Sequence, residues 1–342
     1  MDNTTYGFYS VARDGAGNIE TNPVVAEAVT TTVSNSTPTL DPIANQTVDS
    51  NHALTLTNFA HDALAPGQQL QFRLLSAPVG ASIENLSPTN ALFVWTPACE
   101  QGGTTNVITV QVSDNGTPPL TATRSFIVVV PDCVQVSLGP AVVRTGNSVA
   151  IPLALLSTVA LSNLDVGVEY PPERLTNFNL LVYTQQVASA PFFDVVTNGL
   201  LDFGMDMQTN VALRTSTESA VLGMTANSDQ SSSFVWLSLP SVIAQRLDGT
   251  KVTNAYGLGG RVVIVGEEPL MEALRSPSNR VLLLQYAFPG SAMQIQSATN
   301  VLGGTWQLLL QNTQTNLMQE SDTIIPGAPL LFFRAVRGTN GP

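Results

Sequence analysis

Between Leu92 and Val130 the chain alternates with a period of two. Phe93-Val94-Trp95-Thr96-Pro97 is followed by Val107-Ile108-Thr109-Val110-Gln111-Val112 and then by Ser125-Phe126-Ile127-Val128-Val129-Val130. The last two runs flank Ser113-Asp114-Asn115-Gly116-Thr117-Pro118, a turn-forming stretch, which is the pattern of an antiparallel hairpin. With Ser113 opposite Thr123, Val110 meets Phe126 and Ile108 meets Val128, same-face apolar pairs worth about 0.2–1 kcal/mol each. The texture recurs downstream. Val149, Ile151, Leu153 and Leu155 alternate, as do Leu164, Val166, Val168 and Tyr170, so each strand has one face to bury. No long segment with helical period stands out, and the fold class expected is all-β, a tandem of β-sandwich modules.

A chain of 342 residues exceeds the ~250 that one core serves, so two or three domains are expected. Apolar residues make up 44% and charged residues 11%, the reverse of a disordered composition, and Thr, Ser, Asn and Gln must form most of the surface. The net charge is -12 and Lys251 is the single lysine. Nucleic-acid binding needs several cations to displace counterions, so that partner class is excluded. The longest apolar strings, such as Phe126 to Val130, fall far short of the ~20 residues of a membrane span. Met1-Asp2-Asn3-Thr4-Thr5 has neither the basic region nor the apolar core of a signal peptide.

Tyr6 to Asn18 reads as one strand and a turn with nothing before it to pair with. It resembles the closing hairpin of a fibronectin type III or Ig-like module of bacterial surface proteins. That implies a C-terminal piece of a larger secreted protein, with the signal peptide upstream; a true start whose strand joins a later sheet is the alternative. Residues 1–35 are thus a truncated module end with a polar connector, Val24 to Thr37. Residues 36–132 carry Leu40-Asp41-Pro42-Ile43-Ala44-Asn45-Gln46-Thr47-Val48, Ala60-His61-Asp62, Phe93-Val94-Trp95-Thr96-Pro97 and Ser113-Asp114-Asn115-Gly116-Thr117-Pro118. This set resembles the dystroglycan-type cadherin-like, or Ig-like, modules of bacterial surface proteins.

Residues 133–266 open on Val134-Gln135-Val136-Ser137-Leu138-Gly139 and Gly146-Asn147-Ser148-Val149-Ala150-Ile151-Pro152-Leu153, followed by Leu164-Asp165-Val166-Gly167-Val168-Glu169-Tyr170-Pro171-Pro172. This pattern resembles a cohesin-type domain, related in fold to certain carbohydrate-binding modules. It implies a nine-strand jelly roll completed by strands at Phe234 to Leu239 and Gly260 to Val265. Residues 267–342 read as a smaller β unit with strands at Val281 to Tyr286, Met293 to Asn300, Thr305 to Leu308 and Leu331 to Ala335. It is similar to the small C-terminal modules of large secreted proteins in Verrucomicrobia-like bacteria.

Candidate chemistry is sparse. Cys99 precedes one hairpin strand and Cys133 follows the other, so the register brings them to one end of the sheet, where a disulfide competes with two free thiols. The cadherin-like resemblance implies calcium at the module end. Asp62 and Asp114 match its pattern, while Leu64 stands where a second acid would, and Ser50, beside Asp49, occupies the early acid position. Calcium prefers six to eight oxygens including several carboxylates, so Asp62 and Asp114 also fit as turn residues. Asp202, Asp206, Asp229 and Asp248 read as turn acids rather than a glycosidase pair. His52 and His61 lie away from any G-x-S-x-G elbow. Trp95, Trp236 and Trp306 sit in apolar contexts as core residues, which leaves Tyr183, Phe192 and Phe193, in a loop-like region, as the contact patch for a ligand.

The expected function is therefore non-catalytic: structural or adhesion modules of a bacterial secreted or cell-surface protein. The alternative is a polysaccharide-binding or protein-docking module appended to an upstream secreted hydrolase. Partners would be polysaccharide or other surface protein modules, with calcium the only cofactor considered.

Overall fold

A computed structural model describes residues 4–21, 25–32, 34–63, 69–197, 199–208, 210–228, 231–275, 280–301, 305–324 and 332–338. Among these residues all regular structure is strand, apart from one 3-10 turn at Cys99–Gln101. The chain divides into two compact units, Met1–Pro97 with Thr104–Val130, and Ala98–Gly103 with Pro131–Pro342.

In the first unit, β1 (Thr5–Phe8) pairs antiparallel with β2 (Ala28–Thr31), and all eight residues are exposed. The opening strand therefore has a partner, drawn from the stretch expected to be a connector. A two-stranded ribbon without a buried face is marginal by itself, since pairing alone does not offset the ordering of the chain. The rest of the unit is a sandwich of β3 (Thr39–Leu40), β4 (Gln46–Thr47), β5 (Leu54–His61), β6 (Gln71–Ser76), β7 (Ser82–Ser87), β8 (Asn90–Trp95), β9 (Thr104–Ser113) and β10 (Thr121–Val130). One sheet runs β4-β10-β9-β6 and the other β3-β5-β8-β7. Phe93, Trp95, Ile108, Val110, Phe126 and Val128 fill the space between them. Phe93 meets Phe126 edge to face at 5.6 Å, and the Trp95 indole N–H donates to the Val79 carbonyl at 3.2 Å.

The β9–β10 hairpin departs from the expected register by two residues. Ser113 faces Thr121, Ile108 faces Phe126, and Val110 faces Arg124. The slip is even, so every side chain keeps its face; an odd slip would have turned the core outward. The turn is the cause. Asp114 Oδ1 accepts the backbone N–H groups of Gly116 at 3.0 Å and Leu120 at 2.9 Å, and the Asp114 N–H donates to the Leu120 carbonyl at 3.1 Å. The ladder thus resumes at Thr121.

The second unit begins with β11 (Cys133–Leu138), β12 (Pro140–Arg144), β13 (Ser148–Ser157), β14 (Leu161–Glu169), β15 (Leu175–Val182), β16 (Val187–Thr197) and β17 (Leu200–Met207). It continues with β18 (Thr217–Ala226), β19 (Ser233–Arg246), β20 (Asn254–Leu258) and β21 (Gly260–Val265). A five-stranded sheet, β15-β18-β13-β11-β20, faces a six-stranded one, β12-β21-β19-β14-β17-β16. Ile151, Leu153, Leu155, Leu164, Val166, Phe203 and Leu222 are buried between them.

The chain changes sheet at two glycines, and each has a steric reason. A Cβ at Gly139 would stand 2.5 Å from Pro152 Cγ, and one at Gly259 would run into the Leu237 carbonyl. Thus β11–β12 and β20–β21 are each one strand broken in the middle, and they lie side by side in parallel on both sheets. With each broken strand counted once, the described residues of this region form the nine strands expected. The Cys99–Cys133 disulfide, with Cα atoms 5.4 Å apart, is buried at the start of β11 against Leu156. Closing a loop of 34 residues is worth about 3–4 kcal/mol through the unfolded chain.

The remaining strands are β22 (Leu270–Arg275), β23 (Arg280–Tyr286), β24 (Ala292–Ala298), β25 (Gln307–Thr313), β26 (Met318–Ile324) and β27 (Phe332–Arg337). They form sheets β22-β23-β26 and β25-β24-β27. The sequence reading missed β22 and β26, and Leu331 lies outside the described residues.

Candidate functional site

The outer face of the six-stranded sheet is divided in two. Toward β12 and β21, alternation turns Val142, Phe234, Val263 and Val265 away from the jelly-roll core, and they pack instead with Tyr286, Leu284 and Phe288 of the C-terminal β unit. Val263 and Val265 are as buried as the core itself. One polar network crosses this contact. Arg261 pairs with Glu272, and the Tyr286 hydroxyl donates to Glu272 Oε2 at 2.8 Å. Burial first, and then the Glu272 carboxylate, push the Tyr286 hydroxyl up to about 12, so it stays a donor at any ordinary pH. The Arg144 guanidinium lies 4.2 Å from the Phe288 ring centre.

Beyond β19 the same face changes character. Leu201, Phe203 and Met205 of β17 point into the core while Asp202, Gly204 and Asp206 point out. Register sets them in rows across four strands. Gln245, Asn163, Asp206 and Ser189 form one row; Ile243, Asp165, Gly204 and Phe192 form the next; Ser241, Gly167, Asp202 and Asp194 form a third. Glu169 stands at the end of β14, where its carboxylate accepts the Ser238 hydroxyl at 2.9 Å. Glu169, Tyr170, Thr197, Leu200 and Pro240 line a cleft of 550 Å³ there. Ser189 donates to Asp206 at 2.6 Å. Among the described ion pairs, none involves Asp165, Asp194, Asp202, Asp206 or Glu169. Burial holds the Asp165 carboxyl above the usual aspartate range, and the charges of Asp206 and Asp202 add to the shift, while Asn163 and Lys251 act against it.

This face corrects several expectations. Asp202 and Asp206 lie on a strand, not in turns; Asp248 is in the turn after β19, and Asp229 lies outside the described residues. The signal was present in Leu201-Asp202-Phe203-Gly204-Met205-Asp206, which alternates without a break. Tyr183, Phe192 and Phe193 do not form a shared patch. Tyr183 follows β15 and donates its hydroxyl to Glu218 at 2.9 Å. Phe192 and Phe193 belong to the edge strand β16 rather than a loop, and alternation sends them to opposite faces. Phe193 stacks inward on Phe203, with centroids 6.1 Å apart, and Phe192 lies outward over Gly204. Of the tryptophans, Trp95 is fully buried, Trp306 is half-buried beside Arg334, and Trp236 is 69% exposed, contrary to its expected place in the core. Val235 and Leu237 take the inward positions of β19 and leave Trp236 the outward one, 5.6 Å from the Arg261 guanidinium.

In the first unit the calcium candidates are occupied by donors of the chain itself. The Asn35 amide donates to Asp114 Oδ2 at 3.0 Å, and the Ser36 hydroxyl to Asp62 Oδ1 at 2.9 Å. Burial opposes ionisation of Asp114, but donation from Leu120, Asn35 and Gly116 outweighs it and holds the carboxyl below the usual range. Leu64 lies outside the described residues. Among the described residues no group of three His, Cys, Asp or Glu side chains is placed to hold a metal ion. No described helix is long and apolar enough to cross a membrane.

No protein-family model matches the chain, and no curated protein matches it. Similar solved structures include cohesins. The sixth cohesin of scaffoldin B from Acetivibrio cellulolyticus, solved with the Cel5 dockerin, is 19% identical over 39% of this chain and 99% of its own, with a TM-score of 0.34. The seventh ScaB type I cohesin from Pseudobacteroides cellulosolvens is 14% identical over 42% and 99%, TM-score 0.33. A non-cellulosomal cohesin from the archaeon Archaeoglobus fulgidus is 14% identical over 39% and 91%, TM-score 0.33.

Proposed function

We propose that this is a non-catalytic extracellular or cell-surface protein whose jelly roll docks a partner protein module on the open part of its six-stranded sheet. The observation that carries this reading is the division of one face. Half of it is already covered by the chain's own C-terminal β unit, and the other half presents Phe192 and Ile243 among five carboxylates that have no ion pair among the described residues. Aromatic and aliphatic groups ringed by charge suit a protein contact, in which the apolar centre supplies affinity and the charges supply orientation. The jelly roll contains no histidine, and Asp165, Asp194, Asp202 and Asp206 stand in rows on one open face, which supports a binding role over hydrolysis. The buried disulfide supports an oxidising compartment. The adhesion role expected from sequence would then be exercised through this contact.

A photo-crosslinking residue placed at Ser241, in the open half, tests the reading with proteins secreted by the source organism. An adduct that forms from Ser241 and not from Ile127 of the first unit supports it; equal capture at both positions rejects it. A polysaccharide reading has one specific observation in its favour, the exposed ring of Trp236. A change in tryptophan fluorescence on titration with soluble glucan, lost in Trp236→Ala, would establish that second contact.

A further inference from the structure

The open half holds one carboxylate whose surroundings differ from those of its neighbours. Asp165 on β14 stands opposite Gly204 on β17, and Gly204 stands opposite Phe192 on β16. Gly204 leaves a gap in the surface that two side chains share. A Cβ built there would lie 2.8 Å from Phe192 Cδ1 and 3.0 Å from Asp165 Oδ1. The ring and the carboxylate therefore meet above the glycine, and Asp165 Oδ1 is buried without a hydrogen-bond donor. An aromatic ring over a glycine restores buried apolar area to a strand. An ionised oxygen under that ring has lost its water, and the Asn163 side chain that hydrogen-bonds the Asp165 carboxylate offsets this only in part.

The groups around it do not supply a counter-charge. From β17, Asp202 and Asp206 flank Gly204; from β16, Asp194 stands opposite Asp202 and Ser189 opposite Asp206. From β19, Ile243 faces Asp165 and Gln245 faces Asn163, which is on the same strand as Asp165. Lys251, beyond the end of β19, is the cation whose field reaches it.

We propose that Asp165 and Phe192 form a proton-operated latch on the docking face. With Asp165 protonated the ring stays seated on Gly204; with Asp165 ionised, water enters to solvate the carboxylate and the ring swings outward. The proton passes between Asp165 and solvent water, and no other covalent bond changes. Burial and the like charges of Asp202 and Asp206 both favour the protonated form, which moves the switch toward milder pH. The latch rests on the docking reading for its use alone. It would give a partner a smoother aromatic surface in acid and a more anionic, more open one near neutrality.

The test needs no partner, so its failure and the failure of docking are separate results. The Asp165 carboxyl carbon and the Phe192 ring are followed together by NMR in the full chain, from roughly pH 3 to pH 8 to bracket the carboxylate range. The expected result is one shared midpoint, above that of an ordinary aspartate. Phe192→Ala lowers the Asp165 midpoint toward the ordinary value, and Asp165→Asn leaves the ring signal unchanged across the range. Asp194→Asn, which changes the charge of the same face away from the gap, leaves the ring transition in place. A Phe192 signal that stays flat while Asp165 titrates overturns the latch, as does an Asp165 midpoint unmoved by removal of the ring.

Discussion

The two halves of the six-stranded sheet follow the same alternation and meet different fates. On β21 the outward positions are Arg261, Val263 and Val265; on β17 they are Asp202, Gly204 and Asp206. Two valines in a row cannot remain in water without cost, and the C-terminal β unit covers them while its Glu272 pairs with Arg261. The Asp202 and Asp206 carboxylates of β17 keep access to water, so the second half stays open. The lesson is that the inward residues of a sandwich make the fold, while the outward ones decide which surface the chain covers for itself.

The sharpest way to break this comparison is to put the chemistry of one half into the other. Val263→Asp buries an unpaired charge beneath the C-terminal unit and should cost about 3–5 kcal/mol in urea unfolding, or abolish folding. The matched change in the open half, Asp202→Asn, should move stability by less than about 0.5 kcal/mol. Similar losses from both would erase the distinction. Next in size is Tyr286→Phe, which leaves Glu272 short of a donor inside the covered contact and should cost about 1–3 kcal/mol by the same measurement. In the open half, Gly204→Ala forces Phe192 and Asp165 apart and should cost about 1–2 kcal/mol. Its signature is a shift of the Phe192 ring resonances with the rest of the spectrum preserved.

The smallest effect is a pH dependence, and its sign is fixed. The Asp165 carboxyl is held above the ordinary 3.8 of an aspartate, so the folded state binds its proton more tightly than the unfolded chain does. That contribution is fully present below the ordinary value and is lost as pH rises through the raised one. Asp165→Asn removes the loss. The variant should melt higher than the parent at neutral pH, and the two curves should converge in acid. A difference that grows on acidification would contradict the assignment.

Much of the architecture was legible because period-two alternation reports burial directly. Val149 to Leu155 and Leu164 to Tyr170 have the inward faces expected of them. The hairpin register was not, because it depends on how many residues Asp114 gathers into its turn, which apolar pairing does not encode. Trp236 was misplaced for a related reason. In Phe234-Val235-Trp236-Leu237 every residue is apolar, so hydrophobicity cannot say which pair faces in, and only the C-terminal unit, which covers Phe234 and leaves Trp236 exposed, resolves it. Asp165 and Phe192 could not have been linked, since their meeting requires a glycine in register on the strand between theirs. Hairpin order brought Cys99 and Cys133 to one end of the sheet but left a disulfide and two free thiols open, and the structure has the disulfide.

The two strands broken at Gly139 and Gly259 run in the same direction beside each other, five residue pairs on one sheet and five on the other. They are also the first and last strands of the jelly roll. Tension applied along the chain across this region would pull one forward and the other back, so both ladders would resist together in shear instead of opening one rung at a time. Under such a load, that places the mechanical strength of the jelly roll in its outermost strands.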